Sequence, residues 1–106
     1  MKILLLLAAL GLSTVCVAKK IETEALIASC TNFEDSARAM MRYRQEGITL
    51  EDILETKALR RSVALRRIIK DAYSKPLWHS KVNKQKEIEA FSQEYYLICL
   101  QKNTLS

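Results

Sequence analysis

The chain has 106 residues, of which 49% are hydrophobic and 27% charged, and its formal net charge is +5. This length allows one small domain and excludes a multidomain enzyme. Two glycines and one proline are too few for a sandwich or barrel with many tight turns, so the composition predicts an all-α fold.

The first 18 residues have the pattern of a cleavable signal peptide. Lys2 precedes an apolar run from Ile3 to Leu12, and small residues lead up to Ala18. The run is shorter than the roughly 20 residues that span a bilayer. We therefore predict cleavage after Ala18, a single helical domain over residues 19–106, and a periplasmic or secreted protein. An uncleaved membrane anchor and lipidation of Cys16 are the alternatives for this segment.

Two cysteines, Cys30 and Cys99, would remain after cleavage. An even number of cysteines in an oxidising compartment predicts a disulfide. Such a bridge would close a loop of about 70 residues and contribute about 4 kcal/mol in the chain-entropy model. A free redox pair or metal ligation is the alternative, but the chain has no Cys-x-x-Cys motif and only one histidine, His79. We expect no metal site and no cofactor.

The first predicted helix runs from Ile21 to Glu46, because apolar residues recur there at intervals of three and four. Gly47 should end it as a left-handed cap. The apolar positions of this helix are Leu26, Cys30, Phe33, Ala37, Met40 and Met41.

Three more helices are predicted after Gly47. Thr49 is a good N-cap for a short second helix, and the third helix has one apolar face. Pro76 interrupts the pattern, so residues 74–79 form the main connection to a last helix over residues 80–102. The apolar face of the third helix comprises Ala58, Leu65, Ile68, Ile69 and Ala72, and that of the last comprises Ile88, Phe91, Tyr95, Ile98 and Cys99.

These elements predict a small bundle of about four helices, one of them short. Cys30 lies early in the first helix and Cys99 late in the last. If the two helices pack antiparallel, both cysteines arrive at the same end of the bundle, where a disulfide can join them.

Two surfaces are candidates for binding. A basic strip on the third helix, opposite its apolar face, could hold an anionic partner, although a solvated face is the simpler interpretation. The last helix is apolar on all sides near Cys99, which indicates either burial against the short second helix or a partner or self-association surface. The strip comprises Arg60, Arg66, Arg67 and Lys70, and the apolar surplus comprises Tyr96, Leu97 and Leu100.

Catalysis is not expected. The chain has no glycine-rich phosphate loop and no Gly-x-Ser-x-Gly motif, and its one histidine has no recognisable nucleophile to activate. Nucleic acid is disfavoured as a partner by the export signal.

Several weak motifs, taken in their order and spacing, resemble small, exported, uncharacterised helical proteins of Gram-negative bacteria and their phages or prophages. After the signal peptide and Cys30, the motifs are Arg44-Gln45-Glu46-Gly47, a short acidic helix, Ala72-Tyr73 before Pro76, Glu89-x-Phe91, Tyr95-Tyr96 and Cys99. The resemblance implies a periplasmic helical protein closed by a disulfide and without an assigned activity.

The leading functional hypothesis is a non-catalytic periplasmic interaction protein that binds a protein or an envelope component. Contact with a membrane surface and self-association both stay open. One alternative is a small periplasmic stress chaperone, although one histidine and 12 carboxylates make a steep acid switch less favourable. The other is a membrane-tethered phage lysis or exclusion regulator.

Overall fold

The computed structural model describes the backbone of residues 2–105 and the side chains of residues 23–57, 59 and 61–102. The described backbone is all-helical, which confirms the predicted fold class. Five helices follow one another along the chain: α1 (Lys2–Gln45), α2 (Leu50–Glu55), α3 (Lys57–Arg61), α4 (Val63–Ser74) and α5 (Lys81–Leu105).

The predicted signal peptide and its alternative, an uncleaved anchor, concern residues whose side chains lie outside the described set. Helix α1 begins at Lys2, well before the predicted start at Ile21. Among the residues with described side chains, no helix is long and apolar enough to cross a membrane.

Helix α1 ends at the predicted glycine. Gly47 has φ +84°, a conformation that costs glycine little because it lacks a Cβ. The Gly47 N–H donates to the Arg44 carbonyl at 3.1 Å, and the Ile48 N–H donates to the Tyr43 carbonyl at 3.1 Å. This pair of bonds is a Schellman motif, which satisfies carbonyls that the helix end would otherwise leave unpaired.

The predicted third helix is divided in two at Ser62. Ser62 has an extended backbone, and its hydroxyl accepts a hydrogen bond from the Leu65 N–H at 3.1 Å. A serine that caps a new helix competes with continuation of the preceding one, so α3 and α4 are separate elements. Thr49 caps α2 as predicted, since its side chain accepts from the Asp52 N–H.

Helices α1 and α5 are antiparallel and joined by the predicted disulfide. Cys30 and Cys99 are bonded, with their Cα atoms 5.6 Å apart. At the other end of the pair, the Lys84 Nζ donates to the Gln45 carbonyl at 2.7 Å. The number of residues between the disulfide and this hydrogen bond is the same on α1 as on α5, so the two helices stay aligned along this length.

The core forms where α1, α4 and α5 meet, with one side chain from α2. Helix α1 is central, because both α4 and α5 pack on it. The buried residues of this cluster are Ala37, Met40, Met41, Ile53, Ile68, Ile69, Ala72, Ile88, Phe91 and Tyr95.

The end of α1 holds the connector between α4 and α5. The buried Gln45 side chain donates to the Pro76 carbonyl at 2.8 Å and accepts from the Trp78 N–H at 3.0 Å. The Arg44 guanidinium donates twice to the Lys75 carbonyl, at 3.2 and 3.1 Å. These contacts pair polar backbone groups of the segment around Pro76. Helix α5 begins after Ser80, whose hydroxyl accepts a hydrogen bond from the Asn83 N–H at 3.1 Å.

Candidate functional site

A cleft separates α4 from α5. Each helix packs closely on α1, whereas their backbones approach each other at few points. We call this space the α4–α5 cleft. A hydrogen bond from the Tyr95 hydroxyl to the Asp71 carboxylate, 2.8 Å long, bridges it. Two hollows adjoin this bond, and Arg67 and Tyr95 line both. We call the hollow next to Cys99 the apolar section, and the hollow next to Asp71 and Ser74 the polar section.

The apolar section has a volume of about 380 Å³. Phe33 comes from α1, Ala64 from α4, and Ile98 from α5. Phe33 and Tyr95 pack edge to face with ring centroids 5.6 Å apart, which fixes both rings. Cys99 of the disulfide also lines this section, so the covalent bond between α1 and α5 holds part of its wall.

Two cations border the apolar section. Arg67 lies on α4 and Lys102 on α5, and both side chains are exposed. Among the side chains that the structure describes, no carboxylate oxygen lies within 4 Å of the charged nitrogens of either residue. The positive charge of both residues is thus available to an anion in the cleft.

The polar section of the cleft has a volume of about 440 Å³. Arg67, Lys70, Asp71, Ser74 and Tyr95 line it. Burial, and then the hydrogen bond to Asp71, raise the pKa of Tyr95 well above its usual range. Tyr95 is therefore a neutral hydrogen-bond donor at neutral pH, and the bridge persists.

The structure separates the predicted basic strip into two sides. Arg66, Arg67 and Lys70 are all exposed, as predicted, whereas the side chain of Arg60 lies outside the described set. Arg67 borders the α4–α5 cleft, but Arg66 lines a different hollow of about 260 Å³ with Leu50, Leu54, Ile69 and Lys70. Lys70 lies between the two hollows and lines both.

The apolar surplus of α5 is not covered by the short second helix. Leu97 is 55% exposed, while Tyr96 and Leu100 are half-buried. Helix α2 packs chiefly against α3 instead. None of the three α5 residues lines the cleft, so the structure does not bring them together with the basic strip.

The exposure of Ile98 corrects one detail of the predicted apolar face of the last helix. This residue is 44% exposed, because it lines the cleft, opposite Ala64 and Arg67 of α4. Sequence reasoning also missed Phe33, Ala64 and Lys102 as parts of one site. The position of Lys102 was predictable, since it follows Tyr95 by seven residues and so lies on the same face of the helix.

Within the described side chains, no three His, Cys, Asp or Glu residues come together as a group that could hold a metal ion. The chemistry of the cleft is that of apolar and aromatic side chains beside guanidinium and ammonium groups. No protein-family model, curated protein or solved structure matches this chain.

Proposed function

We propose that the protein is a non-catalytic interaction protein of the periplasm, which binds a protein or an envelope component through the α4–α5 cleft and the adjoining basic residues. In this proposal residues 1–18 direct export and are removed. The Cys30–Cys99 disulfide supports this location, because disulfides form and persist in oxidising compartments.

The observation that carries the proposal is the pairing of apolar surface with unneutralised positive charge. Ile98 is 44% exposed beside Arg67 and Lys102, which also line this section of the cleft. Exposed apolar side chains rimmed by charged groups are typical of binding surfaces. The charge selects an anionic partner and speeds its approach, while burial of the apolar groups stabilises the complex.

A capture experiment tests this function with charge-reversed variants. The disulfide-bonded protein would be immobilised and exposed to an envelope extract from a Gram-negative cell. The test variant carries Arg66→Glu, Arg67→Glu and Lys70→Glu, and the control carries Arg42→Glu, Lys81→Glu and Lys86→Glu, which are exposed residues outside the cleft. Both variants change the net charge equally.

We expect the wild type and the control to retain the same protein or lipid, identified by mass spectrometry, and the test variant to lose it. Equal retention by all three proteins would remove the proposal. Equal loss in both variants would also contradict it, because binding would then follow net charge rather than this surface.

The chaperone hypothesis has less support from the geometry. An acid-activated chaperone needs carboxylates whose protonation separates its helices. Among the described side chains, one carboxylate makes a hydrogen bond or ion pair to another helix, and it is Asp71, which accepts from Tyr95. The carboxylates of Glu34 and Asp35 pair with Arg38 within α1. The membrane-tethered regulator differs from our proposal in its residues 1–18, so the mass of the exported protein distinguishes the two.

A further inference from the structure

We propose that the apolar section of the α4–α5 cleft binds a single acyl chain whose anionic head group is held by Arg67 and Lys102. This inference rests on the proposed function and names its ligand class: a one-chain anionic amphiphile, with either a carboxylate or a phosphate head group.

The positive charges at the cleft indicate that the ligand is negatively charged. Arg67 and Lys102 line the apolar section without a carboxylate partner in the described part of the chain. A guanidinium presents a planar pair of donors that matches a carboxylate or phosphate. In a symmetric dimer that joined two clefts, the second copy would bring the same cations, so charge repulsion disfavours self-association of this kind.

The shape of the apolar section favours a chain over a helix. The Tyr95–Asp71 bond bridges the cleft at one end of this section, and the section extends along α5 from Tyr95 to Lys102, about 10 Å at 1.5 Å per residue. A docked helix is itself about 10 Å wide and needs several turns to place its anchors. An acyl chain is thinner and can end at the bridge.

The volume and the rigidity of the site agree with this ligand class. A space of about 380 Å³ lies within the range of small-molecule pockets. The disulfide fixes α5 on α1, and the edge-to-face pair of Phe33 and Tyr95 holds the floor. A preformed site of this kind loses little conformational entropy when the chain enters.

Direct binding of defined amphiphiles tests the proposal. Laurate and a lysophosphatidylglycerol would be titrated below their micelle concentrations into the purified, disulfide-bonded protein, with native mass spectrometry and calorimetry as readouts. Dodecyl maltoside is the uncharged control for the head group. We expect one bound chain per protein for one or both anionic ligands, and binding at least ~10-fold weaker for the maltoside.

Two matched pairs of variants locate the site. Arg67→Glu should weaken binding about 10-fold or more, while Arg66→Glu, its neighbour on the other side of the strip, should change it less than about twofold. Ile98→Glu should abolish binding, and Leu97→Glu should not. Ile98 and Leu97 are 44% and 55% exposed, so both substitutions should leave the fold intact.

Two results would overturn the inference. The first is no binding of either anionic amphiphile, and the second is equal effects of Arg66→Glu and Arg67→Glu. If the first result comes with binding of an acidic helical peptide or of anionic vesicles that Ile98→Glu abolishes, the cleft binds that partner and not a single acyl chain. If the envelope capture still depends on the strip, the proposed function stands and only the ligand class fails.

Discussion

Gln45 is a buried polar side chain that holds the connector around Pro76. Its amide pairs with both the Pro76 carbonyl and the Trp78 N–H, and the residue is only 2% exposed. Sequence periodicity could not predict this role. A glutamine near the end of a helix is usually solvated, and its partners lie about 30 residues away in a loop.

Replacement of Gln45 by leucine should destabilise the protein by about 2 kcal/mol. The substitution leaves the part-buried Pro76 carbonyl and Trp78 N–H without their Gln45 partner, and an unsatisfied buried group costs ~1–3 kcal/mol. Urea unfolding followed by circular dichroism measures the loss, and quenching of Trp78 fluorescence by acrylamide should increase. Gln93→Leu, at an exposed position of α5, is the control. Equal stability of the Gln45 and Gln93 variants would show that the connector does not depend on Gln45.

Tyr95 connects α4 and α5 through its hydroxyl. Removal of that group in Tyr95→Phe deletes the hydrogen bond to Asp71 and should cost about 1 kcal/mol near neutral pH. Tyr96→Phe on the same helix is the matched control, because the Tyr96 hydroxyl makes no hydrogen bond with the described residues.

The cost of Tyr95→Phe should shrink in alkali. The folded protein raises the pKa of Tyr95, whereas tyrosine in the unfolded chain ionises near its usual pKa of about 10. The stabilisation is therefore complete below about pH 10 and declines as the pH rises further, because only the unfolded state then releases the proton. Between about pH 8 and about pH 10.5 the stability gap between wild type and variant should narrow by about 1 kcal/mol. Parallel stability curves would contradict the raised pKa.

At the scale of elements, some helix ends could be predicted from the residue types at single positions. Gly47 and Thr49 were predictable, because a left-handed cap and an N-cap each require particular residue types at one position. The break at Ser62 was not predicted, since a serine inside an apolar periodicity is compatible with a continuous helix. The exposure of Ile98 depends on how closely α4 approaches α5, which is a matter of tertiary packing on α1 rather than of local pattern.

The end of α1 offers a test of the Schellman motif. A Cβ added to Gly47 would meet no atom within 4 Å, so the cost of Gly47→Ala should come from the positive φ alone, about 1 kcal/mol. Gly47→Asn should cost less, because asparagine tolerates this backbone region better than alanine. Thermal and urea unfolding of the two variants give the ranking. An alanine variant as stable as the wild type would mean that residue 47 does not adopt this conformation.

At the scale of the whole molecule, the fold class and the disulfide were predictable from the sequence, whereas the cleft was not. Cys30 and Cys99 lie on the predicted apolar faces of the first and last helices, and an antiparallel packing of these helices brings both to the same end. The cleft arises because α4 and α5 both pack on α1 but approach each other at few points. The sequence places Arg67 in a basic strip, but its proximity to Lys102 in one hollow follows only from the tertiary structure.

The disulfide connects the scaffold, the cleft and the cellular location. It joins α1 to α5, and Cys99 lines the apolar section of the cleft. Disulfides form and persist in oxidising compartments, and the predicted signal peptide would direct the chain to one. One measurement therefore tests both the predicted export and the crosslink.

That measurement is the intact mass of the protein recovered from a Gram-negative cell that expresses it, taken without reduction and after alkylation in denaturant. The account predicts the mass of residues 19–106 less two hydrogen atoms, with no alkyl group added. A full-length mass would contradict cleavage of the signal peptide, and two alkylated cysteines would contradict the crosslink on which the cleft depends.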